Sequence, residues 1–548
     1  NVNNVKILLD SKFDLTESYV KTYYGKTLLM EAARSKFEIF KLLVESKYYD
    51  ENMLLLQDGE MNAVSYAFKF NIDVTKYITE MGCWRKLMYY QNEYGDSLLT
   101  YSVNKPDIVE YICNSDKCNS DMLKLTNNIG ENCGHIFISS IGNKYSFGNL
   151  VSSKLSDLEL IQHRDLHGDT CLHIACKNRQ DCISILLGCR FMTSDMWLLQ
   201  NNKLHNPMMI MLENSSNMYD VKIFDKVLKF ITNDLLRQTD AKKRTTLMYI
   251  ARYNSNLLKK ILADPLFDKD ILRLRDCKLY TCIMYACKYN DMSVKLLLDV
   301  VQANMENGTD LLHSNHKSHG SCFTIAAKWS PQALQYLFKI NEKLLLANIL
   351  EFSEGSHDVM QVSCRYNGES MKYILKAYEE AKYEKIFKEY EKDNPIILAA
   401  KFQPSAIKYI LDSKYASQGL FDIREDDKNC IDYAFDNQPQ GLIYMIESRH
   451  STPEILNRED HVGYRLLDKL KRVYPNIVSF DNLKEIKLTR YPSICGDTED
   501  YDICKICYIF KTNITFDCGH NSCPSCAFKL KNCHICRHGI QHKNIIFD

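Results

Sequence analysis

Seven cysteines and one histidine lie close together near the end of this 548-residue chain. They form four closely spaced pairs: Cys504 and Cys507, Cys518 and His520, Cys523 and Cys526, Cys533 and Cys536. Two cysteines separated by two residues can turn both sulfur atoms toward one tetrahedral ion, and eight such ligands fill two closed zinc sites. The segment is too small for its own hydrophobic core, so metal would supply most of its folding free energy. The spacing predicts two structural Zn²⁺ ions and favours them over disulfide or redox use.

The order of these ligands resembles that of the RING finger, which has seven cysteines and a single histidine in fourth place. The resemblance implies cross-braced ligation, with one zinc held by Cys504, Cys507, Cys523 and Cys526 and the other by Cys518, His520, Cys533 and Cys536. RING fingers recruit ubiquitin-conjugating enzymes, so the resemblance implies a RING-type ubiquitin transferase. Such a ligase forms no covalent ubiquitin intermediate on its own chain.

Three further residues match positions of the recruiting surface in active RINGs. Ile506 and Leu530 match an apolar platform for the conjugating enzyme, although local packing around zinc is the alternative role for both. Arg537 matches the linchpin arginine that hydrogen-bonds the enzyme and ubiquitin, which suits a planar group with five donors. His534 is a departure, because many active RINGs have Pro there, and it puts the strength of the contact in doubt.

The apolar tail, "RHGIQHKNIIFD", is similar to that of the inhibitor-of-apoptosis and Mind bomb type of RING. In that type, a C-terminal strand builds a RING dimer and the penultimate aromatic residue touches ubiquitin from the partner's side. The resemblance implies a homodimer with Phe547 as this contact. The alternative is that the tail packs back onto its own RING.

Composition limits what the rest of the chain can do. Basic and acidic residues balance at 69 each, so no global field favours nucleic acid. No window has the 18 or more apolar residues of a membrane helix, and the first residues lack a signal peptide's pattern. We therefore expect an intracellular, cytoplasmic protein, with a nuclear location left open, that binds neither nucleic acid nor membrane. The scattered cysteines before residue 500 are expected to be small buried thiols.

A helical pattern recurs along most of the chain. Its helix starts lie 34 to 40 residues apart, at Thr27, Met61, Ser97, Asn132, Thr170, Asn206, Thr245, Thr281, Ser321, Asp358, Asn394, Asn429 and Arg465. Most of these residues can accept hydrogen bonds from free N–H groups at a helix start. A second amphipathic helix follows each start by about ten residues. Such units bury their apolar faces only by stacking on one another.

The segment "HGDTCLHIACKNRQDCISILLG", residues 167 to 188, resembles the ankyrin repeat, whose signature is Thr-Pro-Leu-His-x-Ala. The resemblance implies an all-α ankyrin-repeat solenoid of about 13 repeats over residues 1–475. We expect a linker at 476–499 and the zinc-stapled RING at 500–548. The opening residues look like a second helix without its first, so we expect an N-terminally truncated array. His173 is expected to hydrogen-bond between neighbouring loops.

Together, the resemblances to the ankyrin repeat and to the RING finger imply a RING-type ubiquitin ligase. Its array would capture a substrate protein, which one sequence does not identify, while its RING holds a ubiquitin-loaded conjugating enzyme. The alternative is a non-catalytic ankyrin scaffold whose zinc module only folds or dimerises the chain. No catalytic triad, phosphate-binding glycine loop or zinc-protease motif occurs in residues 1 to 480.

Overall fold

The chain divides into two compact units, Asn1–Lys469 and Leu470–Asp548. The computed structural model describes residues 2–10, 25–140, 144–214, 221–304, 311–312, 320–339, 357–380, 382, 387, 390, 392–437, 439–452, 455, 514–516, 521–522 and 543–545. The predicted linker 476–499 and the thirteenth predicted helix start, Arg465, lie outside these residues.

The first unit is a series of helix pairs. Its first helices are Leu28–Ser35, Ala63–Phe70, Leu98–Tyr101, Cys133–Ser139, Cys171–Asn178, Pro207–Glu213, Thr246–Tyr253, Cys282–Tyr289, Cys322–Trp329, Val359–Tyr366, Pro395–Phe402 and Cys430–Asn437. Its second helices are Phe37–Val44, Ile72–Glu80, Pro106–Asn114, Lys144–Ser152, Gln180–Gly188, Val221–Val227, Ser255–Leu262, Asp291–Asn304, Pro331–Phe338, Ser370–Glu380, Pro404–Asp412 and Pro439–Glu447. The helix Val2–Asp10 packs against the first of these second helices.

Side-chain caps fix where the first helices begin. The residue before the helix accepts a hydrogen bond from a backbone N–H of the first turn at Thr27, Asn62, Asn132, Asn206, Thr245, Thr281, Ser321, Asp358, Asn394 and Asn429. The predicted start at Met61 is wrong by one residue. Asn62 is the cap because its amide oxygen accepts from Ser65 N–H at 2.8 Å, a bond that a methionine thioether makes only weakly.

The loop before each first helix is a tight turn in six consecutive repeats. Its leading Asn or Asp accepts from the backbone N–H groups two and four residues later, at Asn92, Asn127, Asp165, Asn201, Asp240 and Asp276. The third residue after it has a positive φ, which glycine supplies at Gly95, Gly130 and Gly168 but Leu204, Lys243 and Leu279 also adopt. Neighbouring turns are joined by backbone bonds such as Asn202 N–H to the His167 carbonyl, 3.0 Å.

Stacking builds the core. Each first helix contacts the first helices before and after it, without a break from Leu28–Ser35 to Cys430–Asn437. Small residues of the first helices allow this close approach and are buried: Ala32, Ala67, Ala175, Ala286, Ala326, Ala399 and Ala434. The thiol prediction is confirmed within the described residues, where fourteen cysteines form no disulfide and twelve of them are buried. Five of these occupy the first position of a first helix: Cys133, Cys171, Cys282, Cys322 and Cys430.

Additional short helices lie between the second helix and the next turn in many of these repeats. They are Trp84–Leu87, Ser120–Lys124, Leu158–Gln162, Ser194–Leu198 and Asn233–Arg237, with 3₁₀ turns at Glu51–Leu54, Leu228–Phe230, Lys269–Arg273 and Gln418–Asp422. They bury apolar residues such as Trp197, which has no exposed surface. A short antiparallel hairpin, Arg424–Glu425 with Lys428–Asn429, precedes the last described first helix. Of the helices in the described part of the chain, none is long and apolar enough to span a membrane.

The described residues of the second unit form a three-stranded antiparallel sheet. Its central strand, Ile514–Phe516, pairs with Asn521–Ser522 on one side and with Lys543–Ile545 on the other. Thr515 lies opposite Asn521 and also opposite Asn544. The tail of the chain therefore pairs with a strand of its own unit.

Candidate functional site

A cavity of about 840 Å³ lies against two neighbouring repeats of the first unit. We call it the groove, and its lining residues are Glu131, Ile138, Ser139, Lys144, Tyr145, Asp165, His167, Ile174, Lys177, Arg179 and Asp181. The turns supply the acidic rim, the first helices Cys133–Ser139 and Cys171–Asn178 supply the floor, and the following helices supply the remaining charges. The groove thus combines side chains that are far apart in sequence.

Lys177 is held by a carboxylate of its own repeat. Its ammonium group contacts Asp169, which also accepts a 2.8 Å hydrogen bond from the Asn201 amide. Burial alone would raise the pKa of Asp169, but the hydrogen bonds from Lys177 and Asn201 outweigh it and leave that pKa below its usual range. Asp169 therefore stays ionised at neutral pH.

Arg179 joins the two repeats of the groove. Its guanidinium group makes a two-pronged pair with Asp181, with both N···O distances at 3.2 Å. It also donates to the carbonyl of Ile138 at 3.1 Å and to that of Ser140, which ends the preceding first helix. The hydrogen bonds with Asp181 raise the pKa of Arg179 above its ordinary value. Sequence reasoning missed this arginine, because only the packing brings it to the preceding repeat.

His173 lies buried behind the groove, and its predicted role is confirmed. Thr170 N–H donates to His173 Nδ1 at 3.2 Å, so the proton of the neutral ring lies on Nε2, which donates to the His205 carbonyl at 3.1 Å. Burial lowers the pKa of His173 to about 4. The ring is therefore neutral at pH 7 and ties its helix start to the next loop.

The groove presents charged side chains that are paired within the protein and an exposed tyrosine. No hydrogen bond joins a nucleophile to a general base among its described lining residues, and the main charges are held by partners in the protein. Tyr145 stands 66% exposed at the rim. Such a surface can contact a protein partner through the exposed ring of Tyr145 and through the solvent-accessible atoms of its ion pairs.

All of the residues predicted for the zinc module and its surface lie outside the described residues. They are Cys504, Cys507, Cys518, His520, Cys523, Cys526, Cys533, Cys536, Ile506, Leu530, Arg537 and Phe547. The two zinc sites and the contact residues therefore stay predictions. In sequence, Cys518 and His520 fall between the paired strands Ile514–Phe516 and Asn521–Ser522. Among the described residues, no group of three or more His, Cys, Asp or Glu side chains could hold a metal ion.

Known proteins resemble parts of this chain. Residues 167–195 match the family model of the ankyrin repeat. The chain is 43% identical over 53 residues to "Apoptosis inhibitor 193R" of Invertebrate iridescent virus 6, which amounts to 9% of this chain and 26% of that relative. The chain thus spans about a quarter of the length of the curated relative it matches.

Two solved structures are also similar in part. The ankyrin repeat domain of Bcl-3 is 15% identical, with 50% of this chain and 98% of that one covered at a TM-score of 0.31. An ankyrin repeat protein from Leishmania major is 14% identical, with 51% and 84% covered at a TM-score of 0.25. The match at 167–195, together with the helix pairs that continue on both sides of it, shows that the chain carries ankyrin repeats. Such repeats generally bind protein partners.

Proposed function

We propose that this chain is a RING-type ubiquitin ligase whose ankyrin repeats hold the substrate protein. The observation that carries the proposal is the set of eight ligand-type residues in RING order, which follows an array built for protein binding. The array would supply the affinity for substrate, and the C-terminal unit would recruit a ubiquitin-conjugating enzyme.

The donor set fits zinc. Cysteine thiolates and histidine nitrogen are the ligands that zinc prefers in closed four-coordinate sites, and the residues that would hold two ions are Cys504, Cys507, Cys518, His520, Cys523, Cys526, Cys533 and Cys536. Zinc bound there would supply folding free energy and would leave no open position for an activated water.

The proposed ligase acts by positioning. Ile506 and Leu530 would bind an apolar patch of the conjugating enzyme, and Arg537 would hydrogen-bond both that enzyme and its ubiquitin. Holding the thioester beside a substrate lysine converts an encounter between separate proteins into a reaction within one complex. A lysine amine then attacks the thioester carbonyl, and the thiol of the conjugating enzyme leaves.

Two observations concern the type of RING that we propose. They are the name of the viral relative and the strand pairing of the tail. The relative is named an apoptosis inhibitor, in keeping with a RING of the inhibitor-of-apoptosis type. Pairing of Lys543–Ile545 with Ile514–Phe516 within one chain supports a tail that packs on its own module. Contact between Phe547 and ubiquitin across a homodimer is a separate proposal, and the mass of the full chain in solution tests the homodimer that this contact requires.

Self-ubiquitination tests the proposal. The full chain is incubated with activating enzyme, ubiquitin, ATP and a panel of conjugating enzymes, and zinc is measured on the same preparation. We expect two zinc ions per chain and a loss of about tenfold or more in rate for Ile506→Ala and Arg537→Ala. Arg490→Ala, upstream of the ligand cluster, is the matched control and should retain the wild-type rate.

Three results would count against parts of the proposal. A zinc-loaded wild type that stays inactive with every conjugating enzyme would favour the non-catalytic scaffold. An active wild type that neither Ile506→Ala nor Arg537→Ala slows would refute the assignment of the contact surface. A preparation that is folded and free of zinc would exclude the RING.

A further inference from the structure

Five consecutive first helices end in the same kind of residue pair, a basic residue followed by an aromatic one. The pairs are 252–253, 288–289, 328–329, 365–366 and 401–402, within the sequences "ARYN", "CKYN", "AKWS", "CRYN" and "AKFQ". The basic residue stands seven positions after the helix cap in each repeat. Because the repeats stack in register, these pairs form one line along the array.

The basic residue of one repeat lies over the ring of the next repeat. We call the resulting row the ladder, and its four steps are Arg252 over Tyr289 at 3.9 Å, Lys288 over Trp329 at 4.9 Å, Lys328 over Tyr366 at 3.8 Å and Arg365 over Phe402 at 5.4 Å. Each distance is within the range of a cation–π interaction. Cations and rings therefore alternate across five repeats.

The rings of the ladder are open to solvent. Tyr289, Trp329, Tyr366 and Phe402 are 43%, 53%, 46% and 41% exposed. Packing between repeats alone would favour burying these rings, since a buried ring stabilises more than an exposed one. A continuous row of half-exposed aromatic side chains instead marks an interaction surface.

The ladder is also positively charged. Among the described residues, no carboxylate lies within ion-pair distance of Arg252, Lys288 or Arg365. A guanidinium nitrogen of Arg365 lies 3.4 Å from Nε2 of the His357 ring. These cations therefore have donors left for a ligand.

Acidic residues bound the ladder at both ends. The position seven residues after the cap holds Glu213 in the preceding repeat and Asp436 in the following one. At the last basic pair, Lys401 is already paired with Glu425 at 2.7 Å. Arg252, Lys288 and Arg365 thus lie between helix ends that are acidic or already paired.

We propose that the ladder binds an extended acidic segment of a protein partner. Carboxylates of the segment pair with Arg252, Lys288 and Arg365, and its apolar side chains lie on the exposed parts of the rings. The proposal rests on the protein-binding role of the array proposed above and specifies the chemistry of the partner. A single-stranded nucleic acid fits less well, because its bases would have to displace the cations that already face the rings.

Direct binding by the full chain tests the inference without ubiquitin. The probe is a fluorescein-labelled 16-residue peptide, four repeats of Glu-Leu-Glu-Gly, and its comparators are the same peptide with Lys for Glu and a 16-nucleotide oligo-dT. We expect binding of the acidic peptide that weakens about tenfold when salt rises from 50 to 500 mM. The double variant Lys288→Glu with Arg365→Glu should weaken it at least about tenfold.

A control variant, a fluorescence measurement and a check of folding keep the test specific. Lys295→Glu reverses an exposed charge on the second helix of the same repeat and should leave affinity unchanged. Trp329 is exposed whereas Trp84 and Trp197 are buried, so bound peptide should protect tryptophan fluorescence from acrylamide quenching. Circular dichroism of each variant confirms that the helices remain.

The inference is overturned if charge reversal in a folded double variant leaves peptide affinity unchanged, or if oligo-dT binds as tightly as the acidic peptide. An inactive ligase that binds the peptide would refute the ubiquitin proposal and leave the ladder intact. An active ligase that fails to bind the peptide would refute the inference about the ladder and leave the ubiquitin proposal intact.

Discussion

The groove and the ladder use the same position of the first helix in different ways. In the groove repeats, the residue seven positions after the cap is Ser139 or Lys177, and Lys177 is held by Asp169 of its own turn. In the ladder repeats, the corresponding cation lies over a ring of the next repeat and that ring stays exposed. The same repeat backbone thus carries two kinds of charged side chain. Those of the groove are paired within the protein, whereas those of the ladder are available to a partner.

The largest expected contrast is between two tryptophans. Trp197→Ala removes a side chain with no exposed surface and should lower the free energy of unfolding by about 4 kcal/mol. Trp329→Ala removes a side chain that is 53% exposed and should cost less than about 1 kcal/mol. Urea unfolding followed by circular dichroism measures both. Equal losses of unfolding free energy would show that Trp329 contributes to the core as much as Trp197 does, which would contradict the contrast between buried and exposed tryptophans.

A turn of the groove should be nearly as sensitive. Gly168 has a φ of 75°, and an added Cβ would lie 2.8 Å from the backbone nitrogen of Asn202. Gly168→Ala should therefore lower the free energy of unfolding by about 2 to 3 kcal/mol, since it combines strain with a clash. Gly188→Ala is the control, because its Cβ would meet no atom within 4 Å. A harmless Gly168→Ala would show that the turn can open.

The buried histidine behind the groove should make stability depend on pH. His173 has a pKa of about 4 in the folded chain against 6.5 in the unfolded one, because burial disfavours its charged form. The unfolded chain then binds a proton that the folded chain does not, so stability falls as the pH drops from 6.5 toward 4. At pH 5 the loss is about 2 kcal/mol.

Unfolding midpoints at pH 7 and pH 5 check this prediction. His173→Gln should lose that part of the pH dependence. The low pKa of Asp169 adds a loss of stability only in a lower window, below its unfolded value of 3.8, and so does not interfere. A His173→Gln variant with the wild-type pH dependence would show that another group titrates.

The smallest effect is expected for a single step of the ladder. Lys288→Gln removes a cation 4.9 Å from the Trp329 ring centre and should cost about 0.5 kcal/mol in stability. The matched change Lys177→Gln in the groove leaves Asp169 without its ammonium partner and should cost more, about 1 to 2 kcal/mol. Thermal unfolding of the two variants in one buffer gives the ranking, and the reverse order would contradict the comparison.

Much of the array could be predicted because caps and helical periodicity are local signals. Eleven of the twelve described first-helix starts lie at the predicted residue, and the exception arose from assigning Met61 a role that Asn62 performs. The short extra helices were missed because one turn carries too little periodicity. Their signal is a capping residue followed by two apolar ones, as at Asp157 before Leu160 and Ile161.

The binding surfaces were harder to predict because they depend on contacts between repeats. Arg179 reaches Ser140 in the preceding repeat, and no local pattern marks that contact. The basic and aromatic pairs are visible in the sequence, but only stacking shows that Arg252 lies over Tyr289 as well as over Tyr253. The zinc ligands are the opposite case, since their spacing alone carries the prediction.

The buried cysteine thiols can report when individual repeats of the array open. A helix start would normally favour a thiolate, yet burial dominates and raises the pKa of Cys282 and Cys430 to about 12. These thiols can react with a maleimide only when their repeat opens, whereas Cys277 is exposed and reacts at once. Timed labelling read by mass spectrometry would therefore give an opening rate for each repeat that carries a buried cysteine.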